Sequence, residues 1–263
     1  MRTPILLVLA LALFACQPFD YGPAVLGAGS RESHLNQRNI ERITVASGGL
    51  HLRGKFAVLA DIHVYYDELA AAVRNLNADT SIDFVVIAGD VTQYGYAGEY
   101  RMLSTILSRL RAPVIVGIGN HDEQAGGTAL YEELYGPTDF TFAWRGYEFV
   151  FFDDNARGTP QSVPDWAWLE TALAQAGDSL RIIPVCHAPP FSDQLDSAKS
   201  QRLVDLYAEN HAVIVIGAHL HNYHYGQPFG DGIDYLTADD IGDRDYVLVT
   251  LEDGKASVER VFF

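Results

Sequence analysis

The chain has 263 residues, of which 48% are hydrophobic, so it can bury a sizeable core in one large α/β domain or in two small ones. It carries 34 Asp and Glu against 18 Lys and Arg, a formal net charge of −16. No nucleic-acid partner is expected, because an acidic chain without a basic cluster holds phosphate backbones poorly. A small phosphorylated substrate stays compatible with this charge if a metal ion supplies local positive charge.

The N-terminus has the features of a targeting segment. Arg2 precedes an apolar run over residues 5–15, which is shorter than the about 20 residues that span a bilayer but suits a signal-peptide core. The run ends in Leu13, Phe14, Ala15 and Cys16, a pattern that resembles the lipobox of bacterial lipoproteins, in which the cysteine becomes lipidated. The alternative is an ordinary secretory signal that is cleaved elsewhere.

These features predict a signal peptide over residues 1–15, a lipidated Cys16 with a tether over residues 16–40, and a folded domain over residues 41–263. We expect a protein of the cell envelope that is lipid-anchored to a bacterial membrane, outside the cytoplasm. Gln17 follows the cysteine, which by resemblance to enterobacterial sorting favours the outer membrane if the cell has one. The sequence leaves the oligomeric state open.

The second cysteine, Cys186, lies in an apolar stretch and is predicted to be a buried, unreactive thiol. If Cys16 carries lipid, no disulfide can form within the chain. A disulfide between Cys16 and Cys186 is the alternative.

From residue 55 onward, apolar runs that suit buried strands alternate with segments of helical periodicity. The first half predicts strands at residues 55–60, 83–88 and 113–118 and helices at residues 68–76 and 100–110. The second half predicts a hairpin over residues 140–152, helices at 166–176 and 200–209, and strands at 181–185 and 212–216. Antiparallel strands are predicted at residues 234–237, 246–251 and 256–262. Parallel βαβ units followed by antiparallel strands favour a two-sheet α/β sandwich over a simple doubly wound sheet.

Each of five predicted strands is followed by a glycine, by a side chain that can bind metal, or by both. The strand ends carry Asp61 and His63, Gly89 and Asp90, Gly119 with Asn120 to Asp122, His187, and Gly217 with His219 and His221. In open α/β sheets the ligand crevice lies at the carboxyl ends of the strands, so we expect these side chains to converge. Two residues that are two positions apart face the same side in extended backbone. Carboxylate and imidazole ligands without thiolate suit zinc, manganese or iron.

The motifs D-x-H, G-D, G-N-H-D, H and H-x-H, in this order, resemble those of the calcineurin-like metallophosphoesterase superfamily, from about residue 55 to about residue 225. Gln93 stands where purple acid phosphatases carry a ligand tyrosine. The chain is similar instead to the small bacterial branch that includes class III cyclic-nucleotide phosphodiesterases. The resemblance implies a four-layer α/β/β/α sandwich with two mixed β-sheets. It also implies two divalent or mixed-valence metal ions, which would be iron, manganese or zinc.

The resemblance further implies a role for each motif residue. One metal would be held by Asp61, His63 and His221, the other by Asn120, His187 and His219, and Asp90 would bridge the two. His121 would face the substrate and donate a proton to the leaving oxygen or stabilise its charge. Asp122 would also act in catalysis by orienting a neighbouring group, with a turn or helix-start acid as the alternative. Ala218 replaces the usual glycine of the last motif, which preserves the ligands if φ at this position is negative.

Two such cations would lower the pKa of a shared water, and the metal-bridging hydroxide would attack the phosphorus of the substrate. We therefore predict a phosphohydrolase that acts on a phosphomonoester or a phosphodiester. The alternatives are a cyclic-nucleotide phosphodiesterase and, in a different class, a non-catalytic surface lipoprotein that binds metal or a phosphorylated glycan. Tyr65, Tyr66 and His224 neighbour predicted ligands and are candidates for substrate binding, against packing or surface roles.

Overall fold

The computed structural model describes Leu26 and residues 33–47, 53–155, 164–177 and 180–263. The predicted signal peptide, Cys16 and most of the predicted tether lie outside these residues. In chain order the elements are α1 (Leu35–Ser47), β1 (Arg53–Leu59), α2 (Tyr66–Leu76), β2 (Phe84–Ile87), α3 (Ala97–Leu107), β3 (Val114–Val116), α4 (Gly127–Tyr135), β4 (Phe140–Trp144), β5 (Tyr147–Phe151), α5 (Trp166–Gly177), β6 (Arg181–Val185), α6 (Ser197–Glu209), β7 (Ile214–Gly217), β8 (His224–Gly226), β9 (Asp234–Thr237), β10 (Asp245–Glu252) and β11 (Lys255–Phe262). None of the described helices is long and apolar enough to cross a membrane.

The described strands form two mixed β-sheets. Sheet 1 has the order β11-β10-β1-β2-β3, in which β1, β2 and β3 are parallel and β10 and β11 are antiparallel additions. Sheet 2 has the order β4-β5-β6-β7-β9-β8, in which β5, β6, β7 and β9 are parallel and the two edge strands are antiparallel. Parallel strands bring their carboxyl ends to a common edge, so the segments that follow them can meet.

Three apolar layers show how the sheets and helices pack. Side chains of β1 alternate, so that Phe56 and Val58 enter the layer between the two sheets while Ala57 and Leu59 face α2, α3 and α4. The outer face of sheet 2 packs in the same way against α5 and α6. The predicted four-layer α/β/β/α sandwich is therefore confirmed.

The first helix, α1, lies beside β3 at the edge of sheet 1. The amide nitrogen of Asn36 donates to the carbonyl oxygen of Val116 over 2.8 Å, and its oxygen accepts from the Val116 amide over 2.9 Å. Asn39 donates to the carbonyl oxygen of Val114 over 2.8 Å. These side chains occupy backbone groups that an edge strand otherwise leaves unpaired.

The structure places the predicted boundary at residue 40 inside α1, so the folded domain begins earlier than predicted. Leu26 also belongs to the domain, because it is buried in the layer between sheet 1 and its helices. Its carbonyl oxygen accepts from the Nε of Arg101 over 3.1 Å. Asn36 and Asn39 of the predicted tether instead pair the edge of a sheet.

Other differences from the predicted elements concern short segments. The strand β9 was expected to be antiparallel, but it runs parallel to β7 and pairs antiparallel only with the unpredicted β8. The helix α4 was not predicted, because its ends are Gly126 and Gly136, which are typical turn residues in a sequence. Both glycines have positive φ, of 81° and 102°, and so mark helix ends here.

Cys186 is buried and free, as predicted. Its sulfur contacts the carbonyl oxygen of Ala188 at 3.6 Å. Burial raises the pKa of the thiol well above its usual value. The thiol therefore stays protonated at neutral pH, which makes it a poor nucleophile.

We expect Asn36→Ala to lower the free energy of unfolding by about 2–4 kcal/mol, because it leaves an amide and a carbonyl of β3 without partners. Gln37→Ala is the matched control, since Gln37 is exposed on the same helix. Urea unfolding followed by circular dichroism measures both variants. Equal stability of the two would show that α1 is not an integral part of the domain.

Candidate metal centre

Five loops converge at one end of the sandwich, and each follows the carboxyl end of a parallel strand. The loops after β1, β2 and β3 in sheet 1 and after β6 and β7 in sheet 2 carry Asp61 and His63, Asp90, Asn120 and His121, His187, and His219 and His221. Contacts of Asp61 with His187 and of His63 with His221 join the loops of the two sheets. The site therefore lies where the two sheets meet.

The backbone at this site adopts a conformation that is uncommon for residues with side chains. Positive φ values occur at Asp61 (48°), His63 (46°), Asp90 (51°), His219 (70°) and His221 (46°). Such left-handed residues cost free energy and cluster at functional sites. The expectation of extended backbone in D-x-H and H-x-H is wrong, because both members of each pair have positive φ. Ala218 does not have a positive φ, so the replacement of the usual glycine causes no strain.

Three ligand atoms form a first cluster. Asp61 Oδ1 lies 3.3 Å from His221 Nε2 and 3.7 Å from His63 Nε2, and the two ring nitrogens are 3.3 Å apart. Atoms at these distances can all reach one cation. The other oxygen of Asp61 accepts from the amide of His219 over 3.1 Å, which orients the carboxylate.

Asp90 connects the first cluster to a second one. Its Oδ2 lies 3.8 Å from His63 Nε2 and 3.2 Å from His187 Nε2. Its Oδ1 accepts from the amide of His121 over 2.7 Å. His187 Nδ1 lies 2.9 Å from the carbonyl oxygen of Ala88, which leaves Nε2 toward Asp90. One carboxylate thus contacts a histidine from each of the two predicted ligand sets.

Burial and opposite charge together set the proton affinities in this cluster. Burial is the largest single effect and opposes both charges. The attraction between Asp90 and His187 and the hydrogen bonds of both groups together outweigh it, so the pKa of Asp90 is lowered and the pKa of His187 is raised. The carboxylate therefore stays ionised and draws positive charge to this position. Burial lowers the pKa of His63 and of His219, which favours the neutral imidazole that binds metal.

Several buried polar atoms here have no hydrogen-bond partner among the described residues. They are Asp61 Oδ1, Asn120 Oδ1 and His187 Nε2, in residues that are at most 1% exposed, and the first and the third have only ion-pair contacts, the shortest with His221 and Asp90. A buried polar atom without a partner costs about 1–3 kcal/mol. Metal ions would satisfy these lone pairs, and oxygen and nitrogen donors without sulfur suit manganese, iron or zinc. The residues present therefore fit metal ions.

The protein-family model named calcineurin-like phosphoesterase matches residues 54–223, a range that holds every residue of both clusters. The chain belongs to the calcineurin-like phosphoesterase family. It therefore contains a domain of the phosphoester-hydrolase class. Members of this family typically use metal ions, and the two clusters supply candidate ligands for them.

This chain is similar to two curated proteins and to a solved structure. A probable cyclic nucleotide phosphodiesterase of Rhodopseudomonas palustris is 28% identical over 176 residues, 59% of this chain and 64% of the relative. A glycerophosphodiester phosphodiesterase of Enterobacter lignolyticus is 29% identical over 120 residues, 41% of this chain and 42% of the relative. The chain thus spans less than two thirds of either relative. A purple acid phosphatase from yellow lupin has a similar fold, with a TM-score of 0.63 at 11% identity over 80% of this chain and 51% of its own.

His121 is half-buried, and its ring lies 4.7 Å from that of His63. Its Nδ1 lies 2.8 Å from the carbonyl oxygen of Gln93. Because a carbonyl oxygen only accepts, Nδ1 carries a hydrogen and Nε2 is left for another partner. Sequence reasoning missed this contact, and no signal could reveal it, since any residue at position 93 offers the same carbonyl.

Asp122 is fully buried and lies outside the two clusters of ligand atoms. Its carboxylate accepts from the amides of Gly119 (2.9 Å), Val91 (3.2 Å) and Thr92 (2.9 Å) and from the Thr92 hydroxyl (2.8 Å). These bonds tie the loop after β2 to the loop after β3. Asp122 thus orients loop backbone, and its part in catalysis stays a prediction.

Glu99 of α3 holds the same loop and was not predicted. Its carboxylate accepts from the amides of Gln93, Tyr94 and Tyr96 over 3.2, 3.1 and 2.9 Å. The signal in the sequence was an acid at the third position of a helix, where it can reach back to the backbone before the helix. Through Gln93, this contact also sets the position of the His121 ring.

The three candidates for substrate binding lie in different environments. Tyr66 packs in the layer between sheet 1 and its helices, and burial raises the pKa of its hydroxyl to about 12, so it has a packing role. Tyr65 is exposed at the start of α2 and lies against Gly242. His224 is exposed on β8, with its ring 5.7 Å from that of Phe191. Tyr65 and His224 are therefore the more exposed of the three candidates.

A pair of carboxyl groups lies close to Asn120 along the chain. Burial, followed by the neighbouring Asp153, raises the pKa of Glu123 to about 8. A side-chain hydrogen bond joins the two carboxyl groups. Asp153 also accepts from the amide of Asn155 over 2.9 Å, which favours its ionised form. Glu123 is therefore the protonated member and donates to Asp153 at neutral pH.

We expect Glu123 to make the protein less stable as the pH rises. Its pKa in the folded protein lies above the ordinary value of 4.5, so folding takes up a proton at any pH between 4.5 and about 8. The free energy of unfolding therefore falls as the pH rises through this range. Glu123→Gln removes this dependence. The Tm of the variant minus the Tm of the wild type should be larger at about pH 8.5 than at about pH 5.5. Glu132→Gln, on an exposed position of α4, is the control, and a difference that does not change with pH would contradict the assignment.

Proposed function

We propose that this protein is a two-metal hydrolase of phosphodiesters. The observation that carries the proposal is the position of Asp90, whose carboxylate contacts His63 of one predicted ligand set and His187 of the other. Support for a diester comes from the names of both curated relatives, which are phosphodiesterases. A phosphomonoester is the alternative substrate class.

The proposed centre has two ligand sets. One ion would be held by Asp61, His63 and His221, the other by Asn120, His187 and His219, and the Asp90 carboxylate would serve both. His219 enters the second set because its ring lies 5.1 Å from that of His187. The donors suit divalent or mixed-valence iron, manganese or zinc. When bound, the two ions activate a water nucleophile and neutralise charge on the phosphate oxygens.

The protein's own contribution to bond breaking is a proton at His121. In the imidazolium form, Nδ1 donates to the carbonyl oxygen of Gln93 and Nε2 holds a second proton. That proton can pass to the leaving oxygen as the ester bond breaks. Glu99 and Asp122 keep the Gln93 loop in place, so the ring is oriented before the substrate arrives.

Two kinds of phosphodiester are candidates, one from each curated relative. A cyclic nucleotide is favoured by the Rhodopseudomonas palustris relative and a glycerophosphodiester by the Enterobacter lignolyticus relative. A location outside the cytoplasm would favour the glycerophosphodiester, because cyclic nucleotides are mainly cytosolic. The two differ in the leaving group, so a direct comparison of their turnover separates them.

We expect metal-stripped protein to regain hydrolysis of bis-nitrophenyl phosphate, and more slowly of nitrophenyl phosphate, when Mn²⁺, Zn²⁺ or Fe²⁺ is added. His121→Ala should lower kcat by about 10²–10⁴-fold, because it removes the proton donor. The matched control is His211→Ala, which changes an exposed histidine outside the site.

Equal rates for His121→Ala and His211→Ala would contradict the role of His121. Tight metal binding without turnover of either nitrophenyl ester, a cyclic nucleotide or a glycerophosphodiester would favour the non-catalytic binding lipoprotein. Faster turnover of the monoester than of the diester would move the assignment to a phosphomonoesterase.

We further propose that Cys16 is lipidated and anchors the phosphoesterase to a bacterial membrane outside the cytoplasm. Support comes from the apolar run over residues 5–15 and from the pattern that ends in Cys16. Mass spectrometry of the mature protein should find an acylated Cys16 at the N-terminus. An unmodified Cys16, or cleavage at another residue, would contradict the anchor.

A further inference from the structure

His221 differs from the other histidines of the proposed metal centre in how its ring is held. Its side chain is 44% exposed, whereas those of His63 and His187 are 5% and 0% exposed. It also lies in a turn with a positive φ of 46°. Packing alone therefore does not fix the orientation of this ring.

A carboxylate stands on the far side of the His221 ring. Asp240 Oδ2 lies 3.7 Å from His221 Nδ1, while His221 Nε2 lies 3.3 Å from Asp61 Oδ1 in the first cluster. The ring thus bridges a ligand carboxylate and a carboxylate that does not reach the cluster. The rings of His187 and His121 use neutral carbonyl oxygens for the same purpose, at 2.9 and 2.8 Å.

The Asp240 carboxylate is itself held in place by a short turn. Its Oδ1 accepts from the amide of Gly242 over 2.8 Å, at the start of the 3₁₀ turn Ile241–Asp243. The turn rests on the ring of Tyr65. A Cβ added at Gly242 would lie 2.6 Å from Asp240 Oδ1 and 2.9 Å from Tyr65 Cζ, so only glycine fits here.

We propose that Asp240 is a positioning residue for the metal held by Asp61, His63 and His221. Its carboxylate lies 3.7 Å from His221 Nδ1, so its negative charge attracts the N–H at that nitrogen and favours the ring orientation with Nε2 toward Asp61. The proposal rests on the two-metal function proposed above. Asp240 lies in the connection between β9 and β10, outside the residues 54–223 that match the family model, so the family motifs do not include it.

The test is metal binding to the full chain, measured by calorimetric titration of metal-stripped protein with Mn²⁺ and by the metal content retained after gel filtration. Wild type should bind two ions per chain. Asp240→Asn should weaken one of the two by about 10–100-fold and leave the other unchanged. Asp243→Asn is the matched control, since it removes the same charge from an exposed position of the same turn.

Gly242→Ala is a second variant, which keeps every charge but displaces the Asp240 carboxylate. It should weaken the same ion selectively, and it keeps the test open if Asp240→Asn does not fold, which thermal unfolding would show. Wild-type binding of both ions by Asp240→Asn, or equal weakening by Asp240→Asn and Asp243→Asn, would overturn the positioning role while the two-metal function stands. Failure of the wild type to bind metal would overturn both.

Discussion

A buried carboxylate is costly unless positive charge lies beside it, and this constraint shapes the centre of the molecule. Asp61 and Asp90 are at most 1% exposed, and the ion-pair partners of both among the described residues are histidines. Histidine differs from lysine and arginine because it can give up its proton and offer a lone pair to a cation. The same arrangement that neutralises the carboxylates can therefore bind metal.

The fold supplies this arrangement through parallel strands in both sheets. Their carboxyl ends meet at one edge of the sandwich, and each ligand follows a strand that is itself buried. The loops bend sharply, with left-handed backbone at five of the predicted ligands. Hydrogen bonds from neighbouring side chains stabilise this strained backbone. Asp122 joins two loops by four hydrogen bonds, and Glu99 accepts hydrogen bonds from three amides of one of these loops.

The parts of the fold that could be predicted are those with a strong local pattern. Buried strands such as β2 and amphipathic helices such as α2 are read from periodicity, and the site residues from their place after strands. The helix α1 was missed because asparagines such as Asn36 and Asn39 are typical of loops in a sequence. Their hydrogen bonds to the edge strand β3 appear only in the folded protein. The direction of β9 depends on which strand it pairs with, which no local pattern shows.

The site residues also fall into two groups, those that a local motif predicts and those whose role depends on a tertiary contact. Side chains such as Asp61 and His187 were predicted because their residue types and order are unusual. The role of Gln93 rests on a main-chain carbonyl, and that of Asp240 on a turn about 20 residues after His221 in the sequence. Such contacts arise only when the chain has folded. The bonds that Asp122 accepts from amides of two loops are a further contact of this kind.

The most direct test of the two-metal centre is an anomalous diffraction measurement on crystals soaked with Mn²⁺. We expect two anomalous peaks about 3.5–4 Å apart, with the Asp90 carboxylate between them. One peak should lie among Asp61, His63 and His221, and the other beside Asn120 and His187. A single peak, or peaks away from Asp90, would contradict the two-metal centre.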